Sequence, residues 1–367
     1  MAQPVWEFVI ADSSGAALDF LTLGSNRQLT IQDRGARVLE LQVPLTSEQA
    51  SKIVGGSTRI KGYRLAPDGT TKVLRFNGIV WVTDEQANDE GISFMKVVAV
   101  DPFGSTLAGR FANGNYGSID QGTLLKQLID DANTVSDTFV QTATANVTTS
   151  IARTIDWSLT RKSIAAGFSE IAAAFDGTDW ELRPVDNGSK IAELFVYGGR
   201  RGSIRDEVIF GYGADTVANC TAFARTANMD KLATWIHGDG QGGAYFEWTN
   251  PTKVAKFGRY ERFSQYGDVT SLSNLSNLVY QDLVRSYDPE PIIGFTAGSQ
   301  APRMFDEWDI GDTVRVQARH GSINVNKQAR IIGATLTIDV NGVELLSSIV
   351  TQSDATEESG STSAGVS

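Results

Sequence analysis

Asp179 and Glu181 flank Trp180, placing two carboxylates and an indole within three residues. Positions i and i+2 share one face of a strand. Both acids could therefore serve one site beside an aromatic ring, the constellation of a glycosidase that stacks a sugar between an acid and a nucleophile or base. The competing reading is a turn at Asp176-Gly177 followed by a solvent-facing strand edge, with Trp180 in the core. His237 and Asp239 offer a base and its orienter. The only other histidine is His320, and with no cysteine pair the two make a poor zinc site. Gly238, Gly240 and Gly243 satisfy G-x-G-x-x-G, but the residues that follow, AYFEW, read as strand. A dinucleotide site needs a helix there, whose amino terminus holds the pyrophosphate. These glycines are therefore expected in a loop. Neither a G-x-S-x-G elbow nor a G-x-x-x-x-G-K-[ST] loop occurs. No catalytic, cofactor-binding or metal-ligating residue is expected.

Arg259, Tyr260 and Arg262, with Phe263, form a basic-aromatic patch that Glu261 interrupts. Arginine–carboxylate contacts between subunits fit this pattern better than nucleic-acid binding. Arg259, Tyr260, Glu261 and Arg262 are thus candidate inter-subunit residues, and Arg200, Arg201 and Arg205 are weighed in the same way. Tyr245, Trp248 and Tyr266 suit a saccharide surface or a protein interface equally.

The 367-residue chain is long enough for two or three cores. Hydrophobic residues are 41% and charged residues 20%, as in ordinary globular proteins, and 36 glycines favour many tight turns over long helices. The single cysteine, Cys220, excludes a disulfide framework and is expected to be a small buried hydrophobe. Neither a signal-peptide pattern nor a run of eighteen apolar residues is present, so export and membrane insertion are not expected. A net charge of −11 argues against a phosphate-gripping protein, which needs clustered Lys and Arg.

Alternating apolar residues and turn signals predict a meander of strands from Val5 to Pro102, with a turn at Pro67-Asp68-Gly69 and with Leu41 and Val43 on one face. Helices are predicted around Leu124–Ala132, Ile164–Phe175 and Leu272–Leu283, and a hairpin joins WELRPVD to IAELFVYG. Residues 219–226 and 231–237 read as an antiparallel pair with a turn at 227–230, half of a second barrel that resumes near 308. Asn341-Gly342 marks a type I′ hairpin in its second half. The expected fold is α+β, mainly β: two tube-like antiparallel β-barrels with α+β insertions, the second barrel split. The expected division is 1–110 first barrel, 111–205 α+β middle domain, 206–243 first half of the second barrel, and 244–301 a helix-bearing insertion completing the middle domain. Residues 302–352 finish the second barrel, and 353–367 form a disordered tail.

That order of pieces, with GTDWELRP (177–184), the stretch 208–240, FGRYERF (257–263) and FDEWDIGDTVRV (305–316), resembles the minor tail proteins, or tail hubs, of siphophages. At fold level it also resembles the baseplate hub of contractile-tailed phages. The resemblance implies a homotrimeric structural virion protein at the tail tip, whose six barrels meet a sixfold tail tube. It also implies contacts with the distal tail protein or tube, the tape-measure protein and other tip proteins. DNA would pass without specific binding through a channel that three acidic chains would suit. No cofactor and no enzymatic activity are implied. The alternatives are a tail-associated cell-wall-degrading glycosidase and a host-saccharide binding module.

Overall fold

A computed structural model describes residues 5–66, 68, 70–87, 93–112, 114–142, 148–157, 161–173, 177–213, 217–226, 229–230, 232–266, 269, 271–286 and 292–352. Pro67, Gly69, Asp176 and 353–367, on which expected turns and the tail depended, lie outside these residues, as does part of 227–230. No described helix is long and apolar enough to cross a membrane.

Strands from both ends of the chain build a single 13-stranded sheet. In its first half the antiparallel order is Ser25–Gln32, Arg37–Pro44, Ser93–Val100, Lys72–Ala87, Arg59–Leu65, Trp6–Ala11 and Ala17–Phe20. Alternation drives this half: in Arg37–Pro44, Leu39, Leu41 and Val43 are buried while their neighbours are not. In the second half, Ile323–Ile338 pairs with Thr313–His320 and with Glu344–Gln352. Glu344–Gln352 then leads to Ile292–Ala297 and on to Cys220–Thr226, while Ile204–Gly213 runs parallel to Thr313–His320. The halves meet where Ser25–Gln32 pairs with Ile323–Ile338, setting Leu29 opposite Leu336 and Ile31 opposite Ala334. All four are buried in one continuous apolar cluster.

A second contact joins the halves. Buried Arg64 donates to Asp306 Oδ1 at 2.7 Å and to Glu344 Oε1 at 2.7 Å, and Trp6 Nε1 donates to Glu344 Oε2 at 2.6 Å. Beside them, Trp6 N donates to the Gly342 carbonyl at 2.7 Å. The hairpin at Asn341-Gly342 is present, but its turn is not type I′. Only Gly342, at φ +81°, is left-handed, whereas type I′ needs both central residues there. Gly342 N donates to the Asp339 carbonyl, and Asp339 Oδ1 accepts from the Asn341 and Val343 amides. This is a type I turn closed by a left-handed glycine, and the Asp339 carboxylate selects it over the two-residue alternative. A Cβ at Gly342 would collide with the Trp6 carbonyl. Gly342→Ala is expected to lower stability by about 1–3 kcal/mol through the combined backbone strain and clash, read as a lower urea midpoint at unchanged slope.

Between the halves lies an α+β unit. The helix Gln121–Val135 starts at Asp120, whose carboxylate accepts from the Gly122 and Thr123 amides. With Ile164–Ala173 it covers the hairpin Trp180–Asn187 and Lys190–Val196. Leu124, Leu128, Phe168 and Trp180 form the middle of that core.

The expected pairing of 219–226 with 231–237 is overturned. Cys220–Thr226 pairs with Ile292–Ala297, whereas Trp235–Gly240 is the centre of a separate three-stranded sheet between Tyr245–Thr249 and Glu261–Tyr266. The helix Leu272–Ser286 packs on that sheet through Leu275, Val279 and Leu283, forming a cluster that shares no residue with the α+β core. Gly238 decides the packing: a Cβ there would meet the Val279 side chain. It is the bare patch on which the helix rests, inside a strand rather than in the expected loop. The short helix Pro251–Phe257, capped by Asn250 and opened by proline, carries an Asn-Pro start signal that the periodicity of its seven residues is too short to support.

Candidate functional site

Asp179 and Glu181 open the hairpin strand and do share a face, but that face is turned inward. Both are buried, and so is Trp180 on the opposite side. Asp179 Oδ2 accepts from the Arg201 amide at 2.7 Å and from Arg330 NH2 at 2.8 Å. Asp33 Oδ2 lies 3.0 Å from the same Arg330 nitrogen. Glu181 Oε2 lies 2.6 Å from Arg201 NH2 and 3.7 Å from Arg37 NH2. Its other oxygen accepts from Tyr197 Oη at 3.0 Å and from Arg183 Nε. The expected solvent-facing edge is therefore corrected: these acids are the centre of a buried ion network.

Four separate stretches position it. Asp33 and Arg34 lie in the tight turn before Arg37–Pro44; Asp179 and Glu181 come from the α+β hairpin, Arg201 from the link that follows it, and Arg330 from Ile323–Ile338. Arg34 reaches across to the Ala172 carbonyl at 3.0 Å, at the end of a helix. Asp312 accepts from the Ser203 amide at 2.7 Å and the Asp309 amide at 2.9 Å, fixing the link against the second half. The network thus joins both halves of the sheet to the α+β unit.

Its electrostatics oppose acid catalysis by Glu181. Burial raises the Glu181 pKa, but Arg201, Arg183 and Arg37 outweigh burial and hold it below the ordinary value. A glycosidase acid needs the opposite shift. Burial raises Asp33 and Asp309 instead, against the pull of neighbouring arginines. Two open pockets flank the network. One, of about 360 Å³, has Arg34, Asp179, Arg200 and Arg330 in its wall. The other, of about 370 Å³, is lined by Arg37, Arg75, Glu181 and Arg201 among others.

The remaining candidates fall elsewhere. His237 Nδ1 lies 2.7 Å from Tyr245 Oη and 3.3 Å from Glu247, its Nε2 lies 3.6 Å from Glu261, and its ring stacks with that of Trp235. His320 lies in the large sheet, its ring 6.1 Å from that of Tyr212. Among the described residues no three metal-ligating side chains gather. Of the three glycines expected in a loop, Gly238 and Gly240 lie instead in the strand Trp235–Gly240; only Gly243 is in the turn, which leads into the strand Tyr245–Thr249 as expected. Arg259 stacks 3.8 Å over Trp235 and pairs with Glu261, and Arg262 NH2 donates to the Asp282 carbonyl at 3.5 Å. Tyr260, Phe263, Tyr245 and Tyr280 are each exposed. Arg201 is internal, and Arg205 lies 3.6 Å from Asp312. Cys220 is buried, which pushes its thiol up to about 12, in keeping with a small apolar role. Asp33, Arg34, Arg37 and Arg330 had no signal in the sequence, because each stands alone in an ordinary turn or strand.

The architecture occurs in solved structures. The tail protein from Neisseria meningitidis MC58 aligns over 96% of this chain and 97% of its own, with a TM-score of 0.61 at 11% identity. The chain has the fold of phage tail proteins. The prophage MuSo2 43 kDa tail protein from Shewanella oneidensis matches over 95% and 98% at a TM-score of 0.59 and 12% identity. Prophage tail protein gp18 from Listeria monocytogenes EGD-e matches over 96% of each chain at 0.55 and 13%. No family model matches the chain, and no curated protein is similar to it. The fold is thus shared with these tail proteins at 11–13% identity.

Proposed function

We propose that this chain is a structural virion protein, the homotrimeric hub at the distal tip of a long phage tail. It joins the tail tube to the tip complex, with the distal tail protein, the tape-measure protein and other tip proteins as neighbours, and lines part of the DNA-ejection channel. The observation that carries the proposal is end-to-end likeness: nearly the whole chain aligns with nearly the whole of proteins described as tail proteins. A net charge of −11 suits a conduit that DNA crosses without sticking. Exposed Tyr245, Tyr260 and Phe263, with Arg259, Glu261 and Arg262 nearby, suit a contact between subunits. Within the assembly, 204–226 with 292–352 act as the second strand-rich unit, and 232–286 as the piece inserted into it.

An electron-microscopy map of the assembled particle tests this, the expected result being a threefold ring of this chain around a pore at the tail end. A chain that occupies no place in a tail overturns it. The buried, arginine-neutralised carboxylates argue for a non-enzymatic role. Accordingly the purified protein is expected to leave cell-wall suspensions turbid, and the Asp179→Asn with Glu181→Gln variant, though less stable for losing the ion network, to leave them equally turbid. Clearing by the parent protein that the double variant abolishes would falsify the structural role.

A further inference from the structure

The pocket of about 370 Å³ contains one arginine that the ion network does not use. Arg75, on the strand Lys72–Ala87, passes its carbonyl to Arg37 NH1 at 3.0 Å and turns its guanidinium onto the Phe305 ring, 4.5 Å from the centroid. Among the described residues that guanidinium makes no hydrogen bond and no ion pair, and its Nε is buried without a partner. Other buried arginines are held through their terminal nitrogens: Arg201 by Glu181, Arg330 by Asp33 and Asp179, Arg64 by Asp306 and Glu344, and Arg27 and Arg59 by backbone carbonyls, although the Nε atoms of Arg27 and Arg330 are also buried without a partner.

The nearby acids are already committed. Glu181 is held by Arg201, Arg183 and Tyr197, and Asp312 by two backbone amides. Asp309 Oδ1 accepts from the Ile310 amide at 2.7 Å. Four arginines and three carboxylates line the pocket, a local positive excess in a chain whose net charge is −11. Phe305 is itself strained, a non-glycine residue at φ +67°, a conformation that persists only where the surroundings impose it. Its ring lies under Arg75, with Arg64 on the same ring at 5.7 Å. A partly buried cation with no hydrogen-bonded counter-charge is costly; burial lowers the Arg75 pKa against the pull of Asp309 and Asp306, which act on it without pairing with it, while Arg64 and Arg37 add to the lowering. The planar fork that stacking leaves free fits two oxygens of a phosphate or carboxylate.

We propose that the pocket at Arg75 is a binding site for a single oxyanion, a phosphate or a carboxylate, gripped by the Arg75 guanidinium on its Phe305 platform. Arg37 and Arg183, in the wall of the same pocket, add to the field that favours it. The proposal does not depend on a role in a tail.

Thermal unfolding of the full chain tests it, in inorganic phosphate and in acetate, each against sodium chloride at equal ionic strength. Phosphate is expected to raise the Tm by several degrees and to saturate. A rise in phosphate alone assigns a tetrahedral oxyanion, and a rise in both assigns a site that also accepts carboxylates. Arg75→Gln is expected to lose the rise while unfolding in chloride no earlier than the parent. Arg75→Lys, which keeps the charge without the fork, is expected to weaken phosphate binding at least tenfold by titration calorimetry, so the test survives a poorly folding Gln variant. No rise beyond chloride in the parent, an equal rise in Arg75→Gln, or undiminished binding by Arg75→Lys would overturn the proposal.

Discussion

Arg201→Met is expected to lower the unfolding free energy by about 3–5 kcal/mol, the usual consequence of removing one partner from a buried ion pair. The Arg201 side chain is only 6% exposed and lies 2.6 Å from Glu181, with Asp33 and Asp309 each at 4.0 Å. Methionine fills much of the space but leaves these carboxylates short of counter-charge, two of them, Glu181 and Asp33, being buried. Adding Glu181→Leu should restore much of the loss, because an apolar pair of similar volume escapes the desolvation that ions incur. The coupling is read from a double-mutant cycle in urea, which does not screen charges as guanidinium does. A loss below about 1 kcal/mol in the single variant, typical of an exposed pair, would show that the network is solvated.

The pH dependence has a defined sign. Glu181 is held below its ordinary value of 4.5 in the folded chain, after burial is outweighed by Arg201, Arg183 and Arg37. Its stabilising contribution is complete above that ordinary value and is lost as pH falls through the lowered native one. In Arg201→Met the leading opposing charge is gone, so this acid-side loss should shrink.

Trp180→Ala is expected to cost about 3–5 kcal/mol, the range for removing a large aromatic from a packed core. Trp180 is 1% exposed, with Phe103 at 4.7 Å and Phe168 at 5.1 Å between ring centroids. The damage should be local. Hydrogen exchange is expected to accelerate in Gln121–Val135 and Ile164–Ala173 more than in the large sheet, because those helices share the Trp180 cluster and the sheet has its own. Trp180→Phe should cost clearly less, since Trp180 Nε1 makes no hydrogen bond that the change would break. Uniform acceleration across both cores would refute independent packing of the α+β unit.

Much of the local structure was legible in the residues. The alternation of Arg37–Pro44, the apolar stripe of Gln121–Val135 and the Asn341-Gly342 hairpin position each depend on neighbours a few residues away, where periodicity and turn chemistry act directly. The mostly β architecture and the likeness to phage tail proteins followed from the order of such pieces. Failures came where two segments competed for the same partner. Cys220–Thr226 carries a strand pattern that fits 231–237 as well as Ile292–Ala297, and proximity in sequence favoured the wrong one. The Gly238 surface beneath Val279 and the helix Leu272–Ser286 captured Trp235–Gly240 for another sheet, a contact that spans about forty residues.

The sequence by itself determined the strand-rich class and the positions of the three longer helices, since these follow from the period of apolar side chains. Tertiary structure alone decided what Asp179 and Glu181 are for. Read along the chain, they are two acids beside an aromatic, equally fit for a sugar or for solvent. Folding brings Arg37, Arg201 and Arg330 to them from positions up to 151 residues away, and charge interactions depend on distance in space rather than on separation in sequence. The same folding leaves the Arg75 guanidinium without an ion pair among the described residues, a property of the completed pocket that no stretch of the chain contains.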